Sequence, residues 1–191
     1  MKTILAAALL LPALLAAPAI GQQAPANPPA KPGVTLTSPA FDDGAIIPNQ
    51  YTMNATAAPV SPALQWTNVP DGTVSFTLLI DDPDTSLHKT TAEVMHWLIF
   101  NIPGTARSLP EGVPQVAQLP DGSVQLLNTH NTRGYVGPGA GAAGPYHHYT
   151  FQIYALDTKL SVGPDASRAD VLNAMDGHIL GKGVLIGRFH R

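Results

Sequence analysis

The sequence predicts a mainly β protein, an antiparallel β-sandwich with a small helical segment near the C-terminus. Three observations carry that expectation. Only 12% of the 191 residues are charged, while glycine and proline number 17 and 19, a loop-rich and turn-rich composition. Apolar positions from Val34 onward alternate mostly with a period of two, as in half-buried strands. Only one stretch, 167–180, has the spacing of a helix with a recognisable start.

The elements follow in order. Residues 34–37 alternate, and Asp42-Asp43-Gly44 marks a turn. Leu64-Gln65-Trp66 reads as a short strand closed by Val69-Pro70-Asp71-Gly72. The segments 75–80 (SFTLLI) and 96–102 (HWLIFNI) are rich in aromatic and β-branched residues and form the strongest strands. Pro120-Asp121-Gly122 is a further turn, and 149–156 (YTFQIYAL) alternates almost perfectly. Ser167 with Asp170 resembles a capping box, and Val171, Leu172, Met175 and Ile179 give the helix expected over 167–180 its apolar stripe. Residues 184–189 read as a last strand.

The N-terminus reads as an address. Lys2 precedes an apolar run, 4–17, broken by Pro12 and followed by small residues, the pattern of a secretory signal peptide. Residues 1–21 are therefore expected to be removed on export, leaving 22–33 (QQAPANPPAKPG) as a flexible Pro/Ala-rich leader and 34–191 as a single domain. The expected location is periplasmic or secreted. The absence of cysteine excludes disulfides, thiolate metal sites and cysteine nucleophiles. A formal charge of −3 with no basic run argues against a nucleic-acid partner.

Two segments concentrate polar chemistry. Asp81-Asp82-Pro83-Asp84-Thr85-Ser86 follows an apolar strand, and proline prevents the ladder from continuing, so a tight acidic loop is expected ahead of His96-Trp97. Gly134 to Gly141 is a Gly/Pro-rich loop that leads through Gly144 into His147-His148-Tyr149. Taken singly, an Asp-Pro-Asp turn is usually solvated, and this glycine pattern matches neither phosphate-loop nor dinucleotide fingerprints. His147 and His148 alternate along a strand, so only one of them faces a given pocket.

Together, Asp82-Pro83-Asp84, His96-Trp97, Gly134-Tyr135-x-Gly137-Pro138 and Gly144-x-x-His147-x-Tyr149, in this order, resemble the phosphatidylethanolamine-binding protein family, and most closely its bacterial Raf kinase inhibitor-like branch. The resemblance runs from about Val34 to Phe189 and implies a β-sandwich of that family's type with a small anion pocket at one edge. It assigns ligand binding to Asp82, His96, Gly137, Pro138, His147 and Tyr149, with no catalytic residue, metal or cofactor. The expected ligand is phosphate or a phosphorylated head group, and any membrane contact would run through lipid head groups. Two imidazoles and backbone N–H groups supply donors, while Asp82 either orients an imidazole or accepts from an ammonium or a protonated phosphate oxygen.

The chain departs from the family pattern at three places. Thr85-Ser86 stands where Ala-Pro is usual, His148 where arginine is usual, and 139–143 (GAGAA) where further prolines are usual. The leading functional expectation is an exported, non-enzymatic binding protein. The alternative is an inhibitor or modulator of another protein, such as a secreted protease. A hydrolase or zinc enzyme is the weakest reading, since no Gly-x-Ser-x-Gly elbow and no His-Glu-x-x-His motif is present.

Overall fold

The computed structural model describes residues 33–191, apart from the side chain of His88. The expected signal peptide and all but the last residue of the leader lie outside the described residues. Eight strands and one α-helix follow in the order β1 (Thr35–Thr37), β2 (Leu64–Thr67), β3 (Ser75–Asp82), β4 (Val94–Pro103), β5 (Ser108–Leu109), β6 (Val124–Gln125), β7 (His147–Leu156), α1 (Arg168–Met175) and β8 (Ile179–Phe189). They form a three-stranded sheet, β1-β2-β5, and a five-stranded sheet, β6-β4-β3-β7-β8. Every named strand pairing is antiparallel, so the architecture is the mainly β one expected from the period-two pattern.

The run SFTLLI alternates poorly because β3 is central and buried along its whole length. Phe76, Leu78 and Ile80 join Leu36, Leu64 and Trp66 of the small sheet in the main core, together with Trp97, Phe151 and Ile153. Leu79 belongs instead to a second apolar cluster with Leu98, Phe100 and the helix residues Val171 and Met175. The large sheet is therefore covered on both faces, by the small sheet on one and by α1 on the other.

The helix is shorter than 167–180. Its start is as read: Ser167 caps it, with the Ser167 hydroxyl accepting from Asp170 N–H and the Asp170 carboxylate accepting from Ser167 N–H. It ends at Met175, where His178 N–H bonds back to the Met175 carbonyl and Gly177 takes φ +82°. Ile179, placed on a helical stripe by its spacing, opens β8 instead and is 45% exposed.

Strand β8 begins five residues earlier than 184–189 because glycines hide it. Gly181, Gly183 and Gly187 pair with Ala155, Ile153 and Tyr149 of β7. A Cβ on Gly187 would meet Ile47 Cγ1 at 2.5 Å, so the missing side chain is what lets the 41–47 segment lie against the sheet.

The register brings three strand ends together. Asp82 pairs with Val94 and Asp81 with Met95 across β3 and β4, while Asp81 pairs with Thr150 across β3 and β7. The C-terminal end of β3 thus meets the N-terminal ends of β4 and β7 at one rim of the sheet. A register irregularity between Ile80 and Asp81 sits at that rim.

Candidate functional site

At this rim Asp81 and Asp82 face different surroundings. Asp81 is fully buried and takes Arg168 Nη2 of α1 at 2.7 Å. Burial nevertheless holds its carboxyl above the usual range, outweighing the lowering effect of Arg168. Asp82, 3% exposed, lines a cavity of about 250 Å³. Its Oδ1 accepts from Asp84 N–H at 2.9 Å, closing the Asp-Pro-Asp turn. Its Oδ2 accepts from the Thr85 hydroxyl at 3.0 Å and lies 2.8 Å from His147 Nδ1.

The two histidines that open β7 hold the same acidic loop from opposite faces. His147 takes Asp82, and His148 takes Asp84 through its backbone N–H at 2.6 Å and its Nδ1 at 2.9 Å. Burial works to raise the Asp84 carboxyl, but these bonds from His148 together hold it below its ordinary value. His148 therefore secures the loop from outside and does not line the cavity, as the alternation of strand faces predicts.

His96, near the start of β4, is 3% exposed and lines the cavity beside Asp82. Its Nδ1 donates to the Val136 carbonyl at 2.9 Å, and Val136 N–H returns a bond to the His96 carbonyl. That acceptor places the proton on Nδ1 and leaves the lone pair of the neutral ring on Nε2. Burial pushes the imidazole below its usual value, against the opposing pull of the Val136 carbonyl and Asp82. Tyr149 packs edge-on against this ring, with centroids 5.1 Å apart. The Tyr149 oxygen accepts from Ala140 N–H, and burial followed by the nearby Asp82 charge pushes its phenol up to about 12.

The structure therefore brings Asp82, His96, His147 and Tyr149 to one cavity. Gly137 and Pro138 stand one step behind it. The Pro138 carbonyl takes Met53 N–H at 2.8 Å, and a Cβ on Gly137 would meet the Tyr51 carbonyl at 2.7 Å. They anchor the loop, and the wall itself is built by Gly139, Ala140 and Gly141. Met53, Thr85, Val94 and His130, none of them assigned to ligand binding from sequence, also line the cavity. Thr85 was legible as a departure from the family pattern; His130 and Met53 carried no local signal.

Ser86 donates to the Thr90 carbonyl at 2.7 Å and is bonded to none of the three cavity imidazoles, His96, His130 and His147, so Ser86 forms no Ser–His pair here. Among the described residues, no group of three or more His, Asp or Glu is arranged to hold a metal ion. Among the same residues, no helix is long and apolar enough to cross a membrane.

Fold and site together define a class: an antiparallel two-sheet protein with a small cavity where the central strands end. The family model for phosphatidylethanolamine-binding protein matches residues 37–190, and the chain belongs to that family. It is 44% identical over 158 residues to a UPF0098 protein of Methanothermobacter thermautotrophicus, covering 83% of this chain and 99% of that one. A Mycobacterium tuberculosis protein whose name marks it as a lipoprotein, LppC, is 32% identical over 161 residues, 84% of this chain and 74% of its own. Among solved structures, Escherichia coli YbcL, described as a member of the mammalian family, superposes with a TM-score of 0.73 at 27% identity, covering 84% of this chain and 99% of YbcL. Chlamydia trachomatis CT736, described as a homolog of the same family, gives 0.71 at 32% identity, with 83% and 98% covered.

Proposed function

We propose that this chain is an exported, non-enzymatic binding protein whose cavity takes phosphate or a phosphorylated head group. The observation that carries the reading is the Asp82–His147 pair at 2.8 Å, set in a cavity of about 250 Å³ that His96 and His130 also line. A cavity of that size falls below the usual range for drug-sized ligands, roughly 300–1,000 Å³, and suits one compact polar group. The Tyr149 hydroxyl supplies a donor, and an imidazole whose Nδ1–H is engaged within the protein supplies a further donor at Nε2 only when protonated, so the cavity carries no large fixed positive charge. Export rests on the N-terminal pattern of residues 1–21 and on the lipoprotein name of one relative.

The test is a titration with inorganic phosphate and with phosphoethanolamine, following the histidine ring signals by NMR. Saturable shifts at His96 and His147 are expected. His147→Ala should weaken binding by about 1–3 kcal/mol, the cost of losing one hydrogen bond to a charged group, while leaving the fold intact. No shift at millimolar ligand would overturn the proposal.

A further inference from the structure

We propose that Asp82 makes this cavity selective for oxyanions that carry their own hydrogen, phosphate and phosphomonoesters in the singly protonated form, against fully ionised oxyanions such as sulfate. The inference rests on the reading of the cavity as an oxyanion site and names the chemical class it takes.

An ionised carboxylate offers about four acceptor positions over its two oxygens. In Asp82 three of them are used within the protein: Oδ1 accepts from Asp84 N–H, and Oδ2 accepts from the Thr85 hydroxyl and faces His147 Nδ1. The position that remains belongs to Oδ1, on a side chain that is 3% exposed and lines the cavity. A ligand oxygen bearing a hydrogen satisfies it. A bare oxyanion oxygen sets two lone pairs against each other away from water, where the unmade bond and the charge repulsion are both expensive.

His96 repeats the pattern. Its Nδ1–H is committed to the Val136 carbonyl, so the neutral ring meets a ligand with an acceptor at Nε2. Burial favours that neutral ring. Tyr149 is the complementary donor: its oxygen accepts from Ala140 N–H, and its own hydrogen is left for an oxyanion oxygen. The cavity thus mixes donors with acceptors, which suits a P–OH group better than a bare dianion.

The charged and titratable groups around Asp82 come from every neighbouring element: Asp84 in its own loop, His96 from β4, His147 and Tyr149 from β7, and His130 from the loop before β7. Sulfate keeps its double charge between pH 8 and 6; inorganic phosphate at pH 8 is a dianion that still carries one hydrogen, whereas a phosphomonoester carries a hydrogen only below its second pKa of about 6. At pH 8 inorganic phosphate and sulfate therefore carry the same double charge, and the ratio of their affinities there reports the hydrogen.

Dissociation constants for inorganic phosphate, sulfate, methyl phosphate and dimethyl phosphate, measured calorimetrically at pH 6 and 8 and fixed ionic strength, test the inference. Phosphate is expected to bind at least about a hundredfold more tightly than sulfate at pH 6, a preference that a site built around a ligand hydroxyl readily reaches. That ratio should persist at pH 8, where inorganic phosphate keeps a hydrogen, whereas the affinity for methyl phosphate, which loses its own, should fall severalfold relative to inorganic phosphate between pH 6 and 8. Methyl phosphate, a soluble monoester, should bind, and dimethyl phosphate, which has the diester linkage of a lipid head group and no hydrogen to give, should not. Asp82→Asn, whose amide can donate, should bring the phosphate-to-sulfate ratio close to one by gaining sulfate affinity.

Equal wild-type affinities for phosphate and sulfate, or for the monoester and the diester, would overturn the selectivity and leave the oxyanion site standing. Binding of none of the four would overturn both. A thermal melt of Asp82→Asn guards against misfolding, and the wild-type ratios decide the question even if that variant fails to fold.

Discussion

His96 is 3% exposed, its Nδ1 proton is held by the Val136 carbonyl, and burial keeps its imidazole below the ordinary value of 6.5. In the unfolded chain the same ring protonates near 6.5. Between the folded and unfolded values the unfolded state binds more protons, so the contribution of His96 to stability is complete above about pH 6.5 and is lost as pH falls towards the folded value. The His96 ring signals of the native protein should therefore stay unshifted at pH values where a free imidazole is already half protonated. A midpoint at or above 6.5 would show that the ring is not held neutral. Thr85 acts on the same scale. An alanine at that position offers no hydroxyl, whereas Thr85 fills one acceptor position of Asp82 and lies 3.3 Å from His147 Nδ1.

At the scale of the element, α1 is fixed to the large sheet by apolar contacts and by one ion pair, between the half-buried Arg168 and the buried Asp81 carboxylate. Val171 and Met175 enter the second core cluster, while Arg168 reaches the fully buried Asp81 and, more loosely, Glu93 at 3.6 Å. Removing the partner of the buried carboxylate leaves an uncompensated charge, so Arg168→Ala is expected to cost about 3 kcal/mol at pH 7 in denaturant unfolding. The loss should shrink as pH falls, because a protonated Asp81 needs no counter-charge. A loss of the same size at pH 7 and pH 4 would assign it to the aliphatic stem of Arg168 instead. The helix start makes a separate prediction: Ser167→Ala removes both the side-chain acceptor for Asp170 N–H and the donor to its carboxylate, at about 1 kcal/mol.

At the scale of the molecule, the two sheets are held by large rings that interlock across the main core. Trp66 of the small sheet meets Phe76 of the large one with centroids 5.3 Å apart, and Phe151 meets Phe41 at 5.5 Å. Trp66→Ala or Phe151→Ala should destabilise the protein by about 3–5 kcal/mol, read from denaturant midpoints at unchanged m-value. The cavity lies beyond this core at the rim where β3, β4 and β7 end, so His147→Ala should leave the same midpoint within about 1 kcal/mol. The opposite ranking, with His147→Ala the more damaging, would make the rim part of the core.

The sequence by itself determined the class of the fold and singled out Asp82, His96, His147 and Tyr149, which the structure brings to one cavity. A period of two writes itself into apolar alternation whatever the partner strand, which is why 149–156 was legible, while β3 and β4, buried on both faces, were legible from their aromatic and β-branched content. The start of α1 was legible because a capping box is a local hydrogen-bond pattern, and its end was not, because Met175 to Ile179 keeps helical spacing through a glycine turn. The N-terminal part of β8 was hidden because its glycines answer to the 33–47 segment packed on them, a contact more than 130 residues away in sequence. Only the tertiary structure decided that Asp81 turns to Arg168 while Asp82 turns to His147, 65 residues on. It also decided that Gly137 and Pro138 anchor the loop while Gly139 to Gly141 form the wall. The physical reason is that local sequence sets which face of its own strand a side chain takes, whereas sheet register and loop closure set what that face meets.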